Sequence, residues 1–277
     1  MYRVTVLICA LALVLTVPLA AQTAPEAELL TGANFIETKT YTDKENAVIL
    51  KLYDGLRVAD VSDGLDMVGL PNTGLVNPVI HPAWEDPVDL KHKFCGIAVT
   101  ARFVPTQRPD RPEPGEDFGE WEGNFYGTYS SEAFSRILKP GSAVVLDDVQ
   151  DRDIGTIGSN NIMGWVARGA VGVITDASSR DLDEVEKQGV PLYFRRPGRG
   201  IRPGRNELES VNRPVDIGGV LVCPGDVVVA DGDGVVIVPR KVAEQVALNA
   251  RNVLKGDKAG RLKLYEKLGI PLDDTVK

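Results

Sequence analysis

Between Ala143 and Phe194 the sequence alternates short apolar runs with short amphipathic stretches, and this alternation limits the possible folds more than any other feature of the chain. Ala143–Leu146, Val171–Thr175 and Pro191–Phe194 are too short for helices and show no regular polar alternation, so each reads as a buried strand. Ile162–Arg168 and Leu182–Lys187 lie between them and read as helices. Gly169 and Gly189 follow these helices directly, where a left-handed C-cap is needed. A β-α-β-α-β series with short crossovers calls for strands covered by helices, an α/β architecture.

The flanking segments extend this reading. Thr42-Asp43-Lys44-Glu45 is a capping box, followed at helical spacing by Val48, Ile49, Leu52, Tyr53 and Leu56. Val58–Leu65 reads as a second helix start, capped by Asp60 or Ser62. Phe94–Val104 is strand-like and Ser131–Leu138 a short helix. Pro214–Ile217, Gly219–Cys223, Val227–Ala230 and Val235–Pro239 are short strands separated by Gly-Gly, Pro-Gly-Asp and Asp-Gly-Asp-Gly turns. From Lys241 the chain reads as a C-terminal helix with Val242, Val246 and Val253 on one face. Residues 105–129 differ from all of these. They hold six acids, four prolines and the aromatics Phe118, Trp121, Phe125, Tyr126 and Tyr129, and read as a long loop or insertion. Those aromatics suit packing on their own domain or against a neighbouring subunit.

The N-terminus reads as a secretory signal. Arg3 supplies the positive charge, Val4–Leu15 is apolar apart from Thr5, and Pro18-Leu19-Ala20-Ala21 offers a cleavage site near Ala21. The apolar run is too short for a membrane span. The expected organisation is a signal peptide at 1–21, a flexible leader at 22–40 and a single domain at 41–277, exported to the periplasm or beyond. Cys95 and Cys223 then sit in an oxidising compartment, where they could form one disulfide or remain buried thiols.

Several kinds of chemistry lack the residues they need. A net charge of −8 argues against a nucleic-acid partner. With two histidines, His81 and His92, there is little support for a His-based metal cluster or a Ser-His-Asp triad. Neither cysteine has a C-x-x-C partner, and no nucleophile elbow or dinucleotide fingerprint is present. Any metal would therefore be held by oxygens, which favours magnesium, manganese or calcium. The arginine-rich stretch Arg195–Arg205 reads as a solvated loop, or as one that reaches an anionic ligand or a neighbouring subunit.

The candidate chemistry collects at residues 155–184. The strand Val171–Thr175 runs into Asp176-Ala177-Ser178-Ser179-Arg180-Asp181, at the carboxyl end of a strand and just before a helix. An acid beside an arginine can hold a cation while the guanidinium clamps a carboxylate or enolate oxygen; it can equally be a helix cap with a surface neighbour. Gly155-Thr156-Ile157-Gly158-Ser159-Asn160-Asn161 opens the preceding helix with residues small enough to let backbone amides approach an anion, or to form a flexible turn.

Gly158–Glu184, together with Val58–Leu65 and Pro214–Arg240, resembles the RraA-like / 4-hydroxy-4-methyl-2-oxoglutarate aldolase family over roughly residues 45–250. The resemblance implies a swivelling α/β/β/α-type domain, a homotrimer or dimer of trimers, and a divalent-metal-dependent lyase of the pyruvate aldolase and oxaloacetate decarboxylase type acting on a 2-oxo acid. It implies Asp181 as ligand to Mg2+ or Mn2+, and Arg180 as catalytic and substrate contact. Gly158, Ser159, Asn160 and Asn161 would form the substrate loop, and Glu184 would support metal-bound waters. Some members of the family are instead non-catalytic regulators, and a secreted ligand-binding protein is the alternative. This chain departs from the aldolase pattern in its Ser-Asn-Asn loop, in Asp176-Ala177 where Asp-Gly is usual, and in its signal segment and insertion.

Overall fold

The computed structural model describes Leu30, Gly32 and residues 34–276 apart from Asp151; the signal segment and most of the leader lie outside the described residues. Residues 38–277 form one compact unit. Its elements begin with helices α1 (Asp43–Tyr53) and α2 (Val58–Met67) and strands β1 (His81–Pro82) and β2 (Phe94–Pro105). Helix α3 (Phe118–Thr128), a 3-10 turn at Ala133–Ile137, β3 (Ser142–Asp147), α4 (Ser159–Val166), β4 (Ala170–Thr175) and β5 (Ser178–Ser179) follow. Next come α5 (Leu182–Gln188), β6 (Leu192–Phe194), β7 (Arg196–Pro197), β8 (Asn206–Val211), β9 (Val215–Ile217) and β10 (Val220–Val222). Strands β11 (Val227–Asp231) and β12 (Gly234–Val238) and the long helix α6 (Ala243–Leu268) complete the chain.

The expected α/β fold is present. The main sheet runs β1-β6-β4-β3-β2-β11-β12, with β8 also on β2. Strands β2, β3, β4 and β6 are parallel, as their helical crossovers require, and β1, β8, β11 and β12 are antiparallel to their neighbours. β1 and β12 approach each other, so the sheet curls into a nearly closed barrel.

Side-chain alternation divides the apolar residues into three cores. Val144, Leu146, Val173 and Leu192 face Phe134, Ile162, Trp165 and Val185 of the 3-10 turn, α4 and α5. Ile97, Val227, Val229 and Val236 face α1, α2 and α6 through Tyr53, Val61, Leu65 and Val246. Ala143, Val145, Ile174, Val228 and Ile237 fill the space between the sheet halves, together with Val215, Ile217 and Val220 of β9 and β10. These are the two helical layers and doubled sheet of an α/β/β/α arrangement.

Local details confirm some expectations and change others. The Thr42 box forms with both bonds, Glu45 N donating to Thr42 Oγ1 at 3.2 Å and Thr42 N to Glu45 Oε2 at 2.7 Å. The second helix starts earlier than its polar residues suggest: it begins at Val58, and Asp60 inside its first turn accepts from Arg57 N at 3.1 Å, so neither Asp60 nor Ser62 is the N-cap residue. Residues 105–129 are not simply a loop. Asp117 caps α3 by accepting from Glu120 N, and Trp121 and Phe125 are buried within the chain. On α6 the buried residue after Ala250 is Leu254, with Val253 only half-buried. Cys95 and Cys223 are separate thiols, and burial pushes Cys95 up to about 12. Among the described residues no helix is long and apolar enough to cross a membrane.

Asp147, at the end of β3, generates a pH-dependent prediction. Burial pushes its carboxyl up to about 6, against the opposing pull of Arg102 at 3.2 Å. The unfolded carboxyl titrates near 3.8, so the folded state holds the proton more tightly, and the contribution of this group to stability falls as pH rises from about 4 to about 6. Asp147→Asn keeps an acceptor there and removes the charge. Urea denaturation at pH 4 and pH 7 is expected to show the variant gaining roughly 1–3 kcal/mol on wild type at pH 7 and little at pH 4. Equal differences at both pH values would refute the assignment.

Candidate functional site

Two segments distant in sequence lie side by side at the carboxyl ends of β3 and β4. Ile157 bridges Ser179 in parallel register, and its carbonyl accepts both Arg180 N at 2.8 Å and Ser179 Oγ at 2.9 Å. Ile154 makes a second parallel bridge to Gly200, and β5 pairs with β7. The loop 154–158, the turn 178–181 and the strap 196–200 thus form a small secondary ladder beside the main sheet.

Asp181 has φ 58° and ψ 39°, a left-handed conformation that costs a non-glycine residue on the order of 1 kcal/mol. This turn ends the ladder and starts α5, where Val185 N donates to Asp181 O at 3.0 Å. The Asp181 carboxylate does not cap its own helix. Oδ2 accepts from Ser159 N at 3.1 Å, the first residue of α4, so the carboxylate sits at the positive end of that helix. Oδ1 lies 4.0 Å from Arg180 Nε. Arg180 Nε is buried and makes no hydrogen bond, and the rest of the side chain is about one-third exposed.

The glycines of the loop give these side chains their room. A Cβ on Gly155 would lie 2.7 Å from Arg180 Cδ, and one on Gly158 would lie 2.7 Å from Asp181 Oδ2. Asn161 is committed at both ends of its amide: Oδ1 accepts from Gly158 N at 3.1 Å, and Nδ2 donates to Glu132 Oε1. Asn160 is exposed and Ser159 half-exposed. Glu184 is exposed one turn into α5, on the same helix that Asp181 starts. The structure therefore brings Gly158, Ser159, Arg180 and Asp181 into direct contact, ties Asn161 into the scaffold, and leaves Asn160 and Glu184 at the rim.

Two supporting groups carry no clear mark in the sequence. Glu132 accepts from Asn161, from Trp165 Nε1 at 2.8 Å and from Arg202 at 2.9 Å, and Arg202 in turn stacks over Tyr126 and Phe103. Asp148 is buried beneath the loop. Its Oδ1 accepts from Asn206 at 2.8 Å, Asn206 also reaches Thr156 at 3.2 Å, and Asp148 Oδ2 has no partner. Burial raises the Asp148 carboxyl above its ordinary range. The adjacent pair Asp147-Asp148 straight after an apolar strand was the only sequence signal for it.

The arginines of the strap each find a partner within the chain, while Arg196 and Arg199 remain exposed to solvent. Arg195 pairs with Asp176, Arg199 with Asp153 and Arg202 with Glu132, while Arg196 and Arg205 donate to backbone carbonyls. Asp176 spends its other oxygen on Gly218 N at 2.8 Å. His92 is buried with Nδ1 accepting from Asp86 N at 3.1 Å. A concavity of about 700 Å3 lies near the amino ends of β2 and β3, lined by Tyr41, Leu50, Ile97, Arg136 and Ser142, and neither Arg180 nor Asp181 borders it.

Known proteins resemble this chain along most of its compact unit. The family described as RraA-like (Aldolase/RraA) matches residues 58–237. A putative 4-hydroxy-4-methyl-2-oxoglutarate aldolase of Halalkalibacterium halodurans is 29% identical over 122 residues, covering 43% of this chain and 57% of that protein. Protein DlpA of Legionella pneumophila is 26% identical over 224 residues, 74% of this chain and 31% of that protein. The chain thus spans roughly a third to somewhat over half the length of these curated relatives. A solved structure of an uncharacterized protein from Pseudomonas syringae pv. tomato superposes with a TM-score of 0.61 at 26% identity, over 83% of this chain and 98% of that one. With the family match spanning most of the chain and the Arg180-Asp181 turn inside it, the chain belongs to the RraA-like family.

Proposed function

We propose that this chain is a divalent-metal-dependent lyase that breaks a carbon–carbon bond in a 2-oxo acid and releases pyruvate. The observation that carries the reading is the Arg180-Asp181 turn. A buried guanidinium nitrogen with no hydrogen bond stands 4.0 Å from a carboxylate held at the amino end of α4. The name of the aldolase relative and the family's lyases support the same reading.

The residues fit a hydrated hard cation better than a closed cage. Among the described residues no group of three or more His, Cys, Asp or Glu could hold a metal. Asp181 offers one oxygen beyond its bond to Ser159, an arrangement that suits Mg2+ or Mn2+, since magnesium keeps most of its waters and shares the rest with substrate. Asp181 would hold the ion, and Glu184 would orient its waters. When bound, the ion polarises the keto oxygen of the 2-oxo acid.

The chain's own groups do the remaining work. Arg180 is suited to pair with the carboxylate or the enolate oxygen, because its Nε has no competing acceptor. Cleavage leaves the bonding electron pair on the pyruvyl fragment as an enolate; the other fragment departs as a carbonyl compound, its hydroxyl proton passing to water, or as CO2 from oxaloacetate, and the enolate carbon takes a proton from water to give pyruvate. A fixed guanidinium stabilises the enolate charge more than it stabilises the ground state. The bare backbone of Gly155 and Gly158 keeps Arg180 and Asp181 close to the first turn of α4, where unpaired amides attract a carboxylate. The same reading takes the enzyme to be an exported homotrimer or dimer of trimers.

Pyruvate release from 4-hydroxy-4-methyl-2-oxoglutarate and from oxaloacetate, with and without EDTA, tests the proposal directly. Asp181→Ala and Arg180→Lys are each expected to lower kcat/KM by about 100-fold or more, and EDTA is expected to stop the wild type. Wild-type rates in Asp181→Ala would remove the assignment. Gly158→Ala supplies a steric test, because its φ of −125° suits alanine and the atom nearest the added methyl group is Asp181 Oδ2 at 2.7 Å, ahead of Asn161 Oδ1 at 3.3 Å. The expected result is a roughly tenfold loss of kcat/KM with Tm within about 2 °C of wild type. Unchanged kinetics would show that the position of the carboxylate does not matter.

A further inference from the structure

Helix α6 is longer than the surface it packs on. Ala243, Val246, Ala247, Ala250 and Leu254 are buried in the core shared with α1 and α2, whereas from Lys255 to Leu268 no side chain is buried. At 1.5 Å per residue this distal part extends roughly 20 Å. Leu264 and Leu268 lie one turn apart on one face and are 56% and 67% exposed, and Ile270 and Leu272 follow in the same exposed state. The end is tied back on itself, Arg261 Nε donating to Thr275 O at 3.3 Å with Tyr265 Oη 3.4 Å from Thr275 Oγ1. An ordered arm with a leucine stripe facing water is what a helix looks like when its partner is missing. The arm is also basic, with five cations against Asp257 and Glu266, and Lys255, Lys263 and Lys267 make no ion pair among the described residues.

The α3 insertion has the complementary character. Its six acids stand against Arg108 and Arg111. Glu113, Glu116, Asp117 and Glu120 are exposed, Glu122 is half-exposed, and none of these five is in an ion pair among the described residues. Phe118, on the same helix, is 53% exposed and stacks on buried Trp121 with ring centroids 5.6 Å apart, a fixed aromatic platform bordered by acids.

We propose that the distal arm of α6 docks on the α3 insertion of a second copy of this chain. Leu264 and Leu268 cover Phe118, and Lys263 and Lys267 meet the Glu116–Glu122 acids. The two surfaces differ, so the contact is heterologous, and repeating it around an axis closes a ring in which every arm and every platform is used. The charges set partner and orientation, and the leucines and phenylalanine supply the affinity.

Sedimentation velocity and light scattering on the full chain at micromolar concentration test this. The wild type is expected to self-associate, and more weakly as salt rises. Leu264→Gln with Leu268→Gln, both on an exposed helix face, should leave the circular dichroism and Tm unchanged and raise the dissociation constant by about tenfold or more. Lys263→Glu with Lys267→Glu should weaken association similarly, and adding Glu120→Lys with Glu122→Lys should restore it. A monomeric wild type, an assembly indifferent to the leucine pair, or a failed charge-swap rescue would each overturn the proposal. So would a monomer that binds phosphatidylglycerol vesicles through the arm.

Discussion

Strand β2 gives consecutive residues to separate cores: Ile97 to the layer under α1, α2 and α6, Ala98 to the space between the sheet halves, and Val99 to the layer under α4 and α5. A straight strand cannot serve three environments with a period of two. β2 manages it because it is long and changes partners along its length, with β11 beside Phe94–Ile97 and β8 beside Ala101–Pro105. The register shift at Arg102/Phe103 marks the second partnership, where the strand bends. Parallel β3 fixes the other edge from Ile97 to Arg102, so the carboxyl ends of β3 and β4 are held against a strand constrained on both sides.

That rigidity matters because the site is built on irregular backbone. The left-handed Asp181 and the loop 154–158 have no long ladder of their own. They rely on the doubly accepting carbonyl of Ile157, on Glu132 beneath Asn161, and on Asp148 and Asn206 beneath Thr156. A strained residue persists when its surroundings over-determine it. Here the surroundings are buried polar groups whose bonds are stronger for lying in a low dielectric. Asp148 Oδ2 is the one buried oxygen in that set without a partner, and burial raises the carboxyl above its ordinary range because the charged form is the one that loses solvation.

Periodicity made the repeating part of the fold legible. Ala143–Leu146, Val171–Thr175 and Gly189 carry their structural roles in their own residue types, and the structure places two strands and the left-handed cap of α5 there; α4 ends earlier than expected, with Ala167 as its C-cap, and Gly169 supplies the positive φ of the turn that follows. The Arg180-Asp181 turn was legible for a related reason, because strand end, turn and helix start are all local. The rest depended on partners distant in sequence. Glu132 and Asp148 gain their meaning from Arg202 and Asn206, about 60–70 residues away, and spacing along the chain cannot report that. Asp60 looked like a cap because capping residues are read by type, yet Arg57 N and the Arg57 guanidinium engage it from the preceding turn. Residues 105–129 looked like a loop because prolines and glycines outweigh helix formers there, while burial of Trp121 and Phe125 tips α3 into a helix.

The arginine strap and Arg180 differ in how much of their hydrogen-bonding capacity the chain itself takes up. Read as composition, Arg195–Arg205 is the strongest basic patch in the protein. In the fold three of its arginines are matched to a carboxylate each and the other two bond to carbonyls, so the patch ties the ladder together. Arg180 stands outside the patch and makes no comparable bond. Its one acidic neighbour sits 4.0 Å from Nε, and that neighbour's other oxygen is drawn off by Ser159 N. A guanidinium under-paired in this way, beside a strap whose arginines each have a partner, leaves hydrogen-bonding capacity unused within the chain, and that is the feature the proposed function draws on.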